Sequence, residues 1–259
     1  MNRKQLFFIS AFVTSTVLGT SIASASTCIG ACGNIGPNGA VTAPPAGGPS
    51  YGYVTTAGGP AGAGQIAGVG GSNGSSYTTD TFTAAANDPL KFFFNYVTSD
   101  GTGDYVDYSF SELQTAAGVH VAWLFTARTT PSGNTSPGFG LPTNDSILKP
   151  SASAITPGAP TWSPLGTSSG TCYDVGCGYT GWIGSSYTIA DAGSYKIVFG
   201  VSNYGDQSND SGLAFAGVTV NGNPVPVGDV PEPATWALLM TGFGLVGCAV
   251  RRRRLALTA

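Results

Sequence analysis

The sequence predicts an all-β protein whose body is an antiparallel β-sandwich of jelly-roll type, with an N-terminal signal helix before it and a C-terminal transmembrane helix after it. Three observations predict this fold. Apolar and polar residues alternate with a period of two in several segments. Turn sequences separate these segments at regular intervals, and residues 26–228 contain no stretch with the period of an α-helix.

The clearest strand is predicted at 90–97, because Leu90, Phe92, Phe94 and Tyr96 share one face. A first strand is expected at 51–56, and from Ser76 onwards the same alternation predicts the other strands, with the hairpin-type turn Asn221-Gly222 after the last of them. These other strands are expected at 77–83, 105–113, 119–127, 187–189, 194–204 and 213–220.

Two segments of the body lack a clear period. Residues 26–50 are rich in glycine and proline and are predicted to be irregular, which places the sandwich domain at 51–228. Residues 128–186 contain seven prolines. A stretch of that length either hides short strands, for example near Ile147 and Ile155, or forms a large functional loop.

Residues 1–25 follow the order of features of a secretory signal peptide. Arg3 and Lys4 form a short basic start, and residues 6–18 are uncharged but too short to span a bilayer comfortably. Ala23-Ser24-Ala25 then offers the small residues that a signal peptidase needs, so the mature chain is predicted to begin near Ser26. A buried N-terminal helix is the alternative, but it does not explain this order.

Residues 229–259 combine a proline motif, an apolar stretch and a basic end. Pro231 and Pro233 flank Glu232 and prevent a helix from extending backwards. Residues 234–250, which include Trp236, are uncharged and as a helix would reach about 25 Å, close to the ~30 Å of the hydrocarbon core. A basic cluster follows and is expected to stay on the cytoplasmic side of the inner membrane: Arg251, Arg252, Arg253 and Arg254.

This tail resembles the PEP-CTERM sorting signal, in the form that carries Trp-Ala after the proline motif. The resemblance covers about Asp229 to Ala259. It implies a Gram-negative host and an exosortase that cuts near Pro231-Glu232-Pro233. It also implies release to the cell surface or to an exopolysaccharide matrix. A plain single-pass anchor is the alternative, and it leaves the proline motif unexplained.

The body is acidic once the two ends are set aside. It holds four basic residues, namely Lys91, Arg128, Lys149 and Lys196, against eleven aspartates and glutamates, so its net charge is 4 − 11 = −7. Such a body is a poor candidate for binding nucleic acid or anionic lipid. Its overall charge suits divalent cations or neutral glycans better.

Four cysteines lie in the body, and Cys248 lies in the tail. Cys28 is close to Cys32, and Cys172 is close to Cys177, so two local disulfides are the simplest pairing in an exported chain. Four cysteines allow three connectivities, and the spacing alone does not choose between them. A thiolate metal site is the alternative, although neither pair has C-x-x-C spacing.

Two acidic turns are candidates for a calcium site. Asp100, Asp104 and Asp107 lie in one segment, and Asp206 and Asp210 lie in another. Carboxylates and loop carbonyls are the oxygen ligands that calcium prefers, and the first and last strands of many jelly rolls lie side by side. Aspartate is also an ordinary β-turn residue, which is the alternative interpretation.

Aromatic residues of the long segment are candidates for glycan binding. Trp162, Tyr179 and Trp182, together with Phe139 and Tyr173, could stack on sugar rings. The alternative is that they pack down and cover a sheet, because large aromatic side chains are usually buried.

The sequence argues against an ordinary enzyme. His120 is the only histidine and falls within a predicted strand, and Glu112 is the only glutamate of the body. Residues 166–170 match G-x-S-x-G without the strand-turn-helix context of that motif. An extracellular hydrolase acting on polysaccharide is the rival hypothesis, and it requires a pair of carboxylates in one groove.

The body also resembles β-sandwich domains found ahead of PEP-CTERM tails. The segments FFFNYVTSDGTGDYVDYSF and SYKIVFGVSNYGDQSNDSGLAFAGVTVNG carry this resemblance, and the second is similar to the final strands of lectin-like jelly rolls. The resemblance implies association with the cell surface, with exopolysaccharide or with a biofilm, and it carries over no catalytic residues. The predicted partners are therefore signal peptidase, an exosortase, the inner membrane and extracellular glycan, with calcium as the candidate cofactor.

Overall fold

The computed structural model describes residues 25–227, except Thr102, residues 130–133 and Pro137. Two antiparallel sheets face each other across a common core, so the all-β prediction is confirmed. The predicted signal helix and transmembrane helix lie outside the described residues. Within the described ranges, no helix is long and apolar enough to cross a membrane.

The described chain forms seventeen strands and one short 3-10 helix at Ser163–Ser168. The strands are β1 Thr27–Ile29, β2 Ala31–Ile35, β3 Tyr51–Thr55, β4 Gly74–Thr78, β5 Phe82–Ala84, β6 Pro89–Thr98, β7 Tyr108–Thr115, β8 His120–Arg128, β9 Asn134–Ser136, β10 Ile147–Lys149, β11 Ser153–Ala154, β12 Thr156–Pro157, β13 Gly178–Tyr179, β14 Ile183–Thr188, β15 Gly193–Ser202, β16 Ser211–Val220 and β17 Asn223–Pro224.

The larger strands are divided between two sheets. Sheet I has the order β1-β4-β15-β7-β8, with β5 also paired to β15. Sheet II has the order β10-β14-β6-β16-β3-β2; β13 pairs with both β12 and β6, and β17 pairs with β16. Strands β9 and β11 form a separate ribbon. The first predicted strand, β3, lies directly beside the last long one, β16.

Stacked phenylalanines join the two sheets. The rings of Phe94 on β6 and Phe125 on β8 are nearly parallel, with centroids 3.7 Å apart. Those of Phe215 on β16 and Phe199 on β15 are 4.0 Å apart. Phe92 meets Phe199 edge to face at 5.4 Å. The period of two in the sequence places these rings on the inner faces, where all five are buried.

The prediction that residues 26–50 are irregular is wrong for their first part. Strand β1 pairs with β4 in sheet I, and β2 pairs with β3 in sheet II. The chain crosses between the sheets at Gly30, whose φ is 86° and where a Cβ would lie 2.4 Å from Ser75 Oγ. The predicted Cys28–Cys32 disulfide is confirmed and links the two strands. The sandwich therefore begins at β1 and not at residue 51.

Residues 128–186 contain short strands, so the first of the two alternatives for this segment is confirmed. Strand β10 includes Ile147, while β11 and β12 flank Ile155. The disulfide between Cys172 and Cys177 is also confirmed and lies in the second half of the segment. The strand predicted at 187–189 begins earlier, at Ile183, because β14 pairs with β6 over six residues.

Replacing Phe94 with alanine should lower the free energy of unfolding by about 3–5 kcal/mol, because the change leaves a cavity between the sheets. The matched control is Phe93→Ala, which removes the same ring from the adjacent, partly exposed position on the opposite face of β6. Urea unfolding of the full chain in a non-ionic detergent measures both. Equal losses would contradict the assignment of the two faces.

Candidate functional site

The outer face of sheet II is covered at one end and open at the other. Along β6 the outward side chains change from exposed at Lys91, through partly buried at Phe93, to buried at Asn95 and Val97. Residues from the long segment cover the buried end. At the open end the sheet forms the floor of a groove of about 500 Å³.

Trp162 belongs to the covered end, which corrects its assignment as a glycan-binding residue. The indole is fully buried in a small cluster on the outer face of sheet II. Its Nε1–H donates to the Tyr51 hydroxyl at 3.0 Å, and the ring meets Tyr53 edge to face. Gly212 makes room for it, since a Cβ there would lie 2.5 Å from the indole. A ring enclosed in this way offers no face to a sugar.

Trp182 and Tyr179 pack against the same cluster but stay partly exposed. The Trp182 Nε1–H donates to the carbonyl of Thr42 at 3.1 Å, and its ring meets Tyr51 edge to face. Tyr179 lies opposite Val97 in the ladder between β13 and β6. These contacts are those of side chains that cover a sheet. A glycan-binding role for Tyr179 and Trp182 stays a prediction.

Four strands of sheet II present the open groove in two cross-strand rows. One row runs from Lys149 through Gly184 to Phe93, and the other from Ile147 through Ser186 to Lys91. Strand β16 completes the floor on the far side of β6, where Lys91 is paired with Thr219. The described residues that line the groove are Ala46, Lys91, Phe92, Phe93, Ile147, Lys149, Gly184, Ser185, Ser186, Gly217 and Thr219.

Glycines flank the ring of Phe93 on both neighbouring strands. A Cβ at Gly184 would lie 3.5 Å from Phe93 Cε1, and one at Gly217 would lie 3.5 Å from Phe93 Cδ2. Gly217 has a φ of 65° and sits at the irregularity where the register between β16 and β6 shifts. Because neither glycine has a side chain, the ring is left partly open in the middle of the groove.

Sequence reasoning did not identify this groove. Lys91 and Phe93 alternate with the inward residues of the clearest predicted strand. This alternation alone indicates that both side chains face away from the core. Lys149 lies in the segment without a clear period, and Gly184 lies before the strand predicted at 187–189. Their position beside Phe93 depends on a pairing of β10, β14 and β6 that no local pattern indicates.

The structure brings several of the predicted calcium ligands close together. Asp100 and Asp107 are buried, and Asp206 is near enough to interact with Asp107 electrostatically. Asp104 is exposed. Asp210 accepts hydrogen bonds from the hydroxyls of Thr56 and Ser168, at 3.0 Å each.

Turn chemistry explains part of this acidic cluster. Asp206 Oδ1 accepts the backbone N–H of Ser208 at 2.9 Å, as aspartates in turns commonly do. In the described ranges, no three His, Cys, Asp or Glu side chains are arranged to hold a metal ion. Calcium binding by Asp100, Asp104, Asp107, Asp206 and Asp210 stays a prediction.

Asp107 occupies one end of a buried chain of hydrogen bonds. The Ser211 hydroxyl lies 2.6 Å from Asp107 Oδ2 and 2.7 Å from Thr98 Oγ1, and Thr98 donates to the carbonyl of Asp100. The Ser211 hydroxyl donates to Asp107 Oδ2, and the backbone N–H of Tyr204 donates to Asp107 Oδ1 at 2.9 Å, so both carboxyl oxygens are hydrogen-bonded. Burial raises the pKa of Asp107 well above its usual range; the bond with Ser211 opposes this rise, and the charge of Asp100 adds to it.

His120 lies in a strand, as predicted, and its side chain is exposed at the start of β8. Its Nδ1 lies 2.7 Å from Glu112 Oε1, and the ring lies beside Trp123 with centroids 4.9 Å apart. The serine at the centre of residues 166–170, Ser168, bonds to Asp210 and not to an imidazole. A carboxylate and an imidazole alone do not define a catalytic site, so the absence of catalysis stays a prediction.

The sorting tail lies outside the described residues, and with it Pro231, Glu232, Pro233 and Trp236. Comparison with known protein families identifies it: residues 229–254 match the PEP-CTERM protein-sorting motif. This motif indicates an exported protein that is anchored in a membrane and then processed by an exosortase. Comparisons of the chain with curated proteins and with solved structures gave no significant match.

Replacing Asp107 with asparagine should stabilise the protein increasingly as the pH rises. When a carboxyl group has a higher pKa in the folded state than in the unfolded state, its full contribution to the free energy of unfolding is present below the unfolded-state pKa of about 3.9. That contribution is lost as the pH rises through the folded-state pKa. Asparagine is neutral throughout and can donate to Ser211. The measurement is the melting temperature of both proteins from pH 4 to pH 8, with exposed Asp191→Asn as the control. A constant difference between Asp107→Asn and wild type would contradict the buried, proton-binding carboxyl.

The same two proteins test the calcium prediction. A carboxyl group that binds calcium must be ionised, and an ion that binds only the folded state stabilises it. Calcium would therefore raise the melting temperature of the wild type over that in EDTA, and the rise would be smaller in Asp107→Asn, which offers a neutral amide oxygen instead. Equal melting temperatures of the wild type in calcium and in EDTA would reject the site.

Proposed function

We propose that this is a non-enzymatic exported protein that associates with exopolysaccharide on the surface, or in the biofilm matrix, of a Gram-negative bacterium after an exosortase has processed it. The observation that carries the proposal is the PEP-CTERM motif at residues 229–254, placed directly after a folded β body. A signal peptidase removes residues 1–25 at the start of this route, and the released body is the working part.

The body has features that suit this location. Its two disulfides close loops within single segments, as expected of a domain that folds in an oxidising compartment. Few side chains are charged, and the body's net charge of −7 disfavours nucleic acid as a partner. A lectin-like jelly roll is the fold we propose for the two sheets, with the open outer face of sheet II as the surface that meets glycan.

Binding is a better interpretation of that face than hydrolysis. A glycosidase requires two carboxyl groups that flank the scissile bond. The described lining of the groove contains two lysines, two serines and a threonine, and no aspartate or glutamate. The hydrolase remains the rival hypothesis, and it would need its carboxylates elsewhere on the chain.

Substituting all three residues of the motif, Pro231→Ala, Glu232→Ala and Pro233→Ala, should leave a full-length precursor in the membrane fraction. The control is Pro226→Ala, which changes a proline just before the tail. Immunoblots of membrane, surface and matrix fractions measure the outcome. Normal release of the triple variant, or wild-type protein found free in the medium instead of with the polysaccharide, would contradict the proposal.

A further inference from the structure

We infer that the open groove on sheet II binds an acidic polysaccharide, with Lys91 and Lys149 contacting carboxylates of its uronic acid units and Phe93 packing against a sugar ring. This inference rests on the proposed association with exopolysaccharide and adds the class of glycan and the residues that would recognise it. The few basic side chains of the body are concentrated at this groove.

Half of the basic residues in the body line this one groove. Lys91 and Lys149 are two of four, in a body that carries eleven acidic residues. Both side chains are exposed, and neither forms a salt bridge among the described residues. No acidic side chain is among the described lining residues. Asp145 comes two residues before the lining residue Ile147 but is not itself in the lining. Since exposed charges more than about 8 Å apart are largely screened in physiological salt, a carboxylate inside the groove interacts mainly with the two lysines that line it.

The spacing of the lysines fits a polymer better than a small anion. Lys149 lies on β10 and Lys91 on β6, with β14 between them, and the two belong to different cross-strand rows. Two strand spacings and one pleat repeat place their Cα atoms about 12 Å apart. At that separation each ammonium group can meet a different carboxylate along one chain, and the stretch between them passes the ring of Phe93.

The rest of the groove has the composition of a sugar-binding surface. Phe93 offers an apolar ring that is partly open because Gly184 and Gly217 beside it have no side chains, and an apolar ring suits the apolar side of a sugar. The hydroxyls of Ser186 and Thr219 lie in the row of Lys91, where they can exchange hydrogen bonds with sugar hydroxyls. Few convergent polar groups around an apolar floor are typical of small-molecule and oligosaccharide sites.

The charge of the groove favours an acidic glycan, whereas the net charge of the body favours a neutral one. The net charge of −7 favours a neutral glycan for the body as a whole. The described lining of the groove carries two positive side chains and no negative one, so an acidic glycan is the complementary ligand there. Nucleic acid is a poorer ligand for the groove, because its many phosphates would be repelled by the acidic body and two lysines can neutralise only a few of them.

The experiment measures binding of the full chain, in a non-ionic detergent and EDTA, to three polymers by affinity electrophoresis and calorimetry. The polymers are polygalacturonate, neutral dextran and polyglutamate. We expect binding to polygalacturonate that weakens as salt is added, at least tenfold weaker binding to dextran, and at least tenfold weaker binding to polyglutamate, which has the charge without the sugar ring.

Three variants locate the site. Lys91→Gln with Lys149→Gln should weaken binding to polygalacturonate by roughly tenfold, since each exposed ion pair contributes about a factor of three. Phe93→Ala should weaken it several-fold. Gly184→Leu, at a position where a Cβ makes ordinary contact with Phe93, should block the groove while leaving both lysines and the ring in place. Lys196→Gln on sheet I removes one positive charge outside the groove, as either lysine variant alone does inside it, and should leave binding unchanged.

Each result has one meaning. Equal binding to dextran would overturn the acidic class of ligand, and equal binding to polyglutamate would overturn the role of the sugar ring. Loss of binding in Lys196→Gln to the same extent as in Lys91→Gln or Lys149→Gln alone would show that net charge alone acts. Unchanged binding in Gly184→Leu and the double variant, with melting temperatures like the wild type, would overturn the site. The sorting experiment is independent, because the groove variants should still be processed and released.

Discussion

Ring stacking between the two sheets is the interaction on which the rest of this structure depends. Phe94 and Phe215 from sheet II each lie flat against a phenylalanine of sheet I, at 3.7 and 4.0 Å between centroids. Each sheet is apolar on its inner face, and the aromatic rings bury much of that surface in a few contacts. Because side chains alternate along a strand, fixing Phe94 inwards also fixes Phe93 outwards. The orientation of the core therefore determines which residues the outer face of sheet II can present.

That outer face is then divided by the long segment 128–186. At one end Trp162 and its neighbours form a second, smaller core, with the indole bonded to Tyr51. At the other end the same sheet stays open, and Lys91, Phe93 and Lys149 line the groove. A large aromatic side chain is most stable when its apolar surface is buried and its N–H is satisfied, which explains why Trp162 covers the sheet instead of forming a platform for sugars. The groove is the part of the face that this covering leaves free.

Local pattern was sufficient for much of the fold and for little of the site. The period of two placed β3, β6, β8, β15 and β16 close to their observed bounds, because it reports which face of a strand meets the core. It missed β1 and β2, because their Gly-rich sequence has no alternation. Both are strands because they pair with β4 and β3, and such pairing leaves no local pattern. Asp107 shows the same limit. The sequence around it suggests an ordinary turn residue, but a hydrogen bond with Ser211, which is far away in the sequence, makes it part of a buried network.

Export and membrane anchoring can be read from the linear order of residues in this chain. The proline motif, apolar stretch and arginines are read as a linear signal, so their order is sufficient, and the family comparison at residues 229–254 agrees. The close spacing of the cysteines likewise predicted both disulfides. Which aromatic rings are enclosed and which cations share a surface depends on strand pairing between distant segments, so local sequence does not indicate it. Lys91 and Lys149 are far apart in the chain, and they line one groove because β10 and β6 both pair with β14.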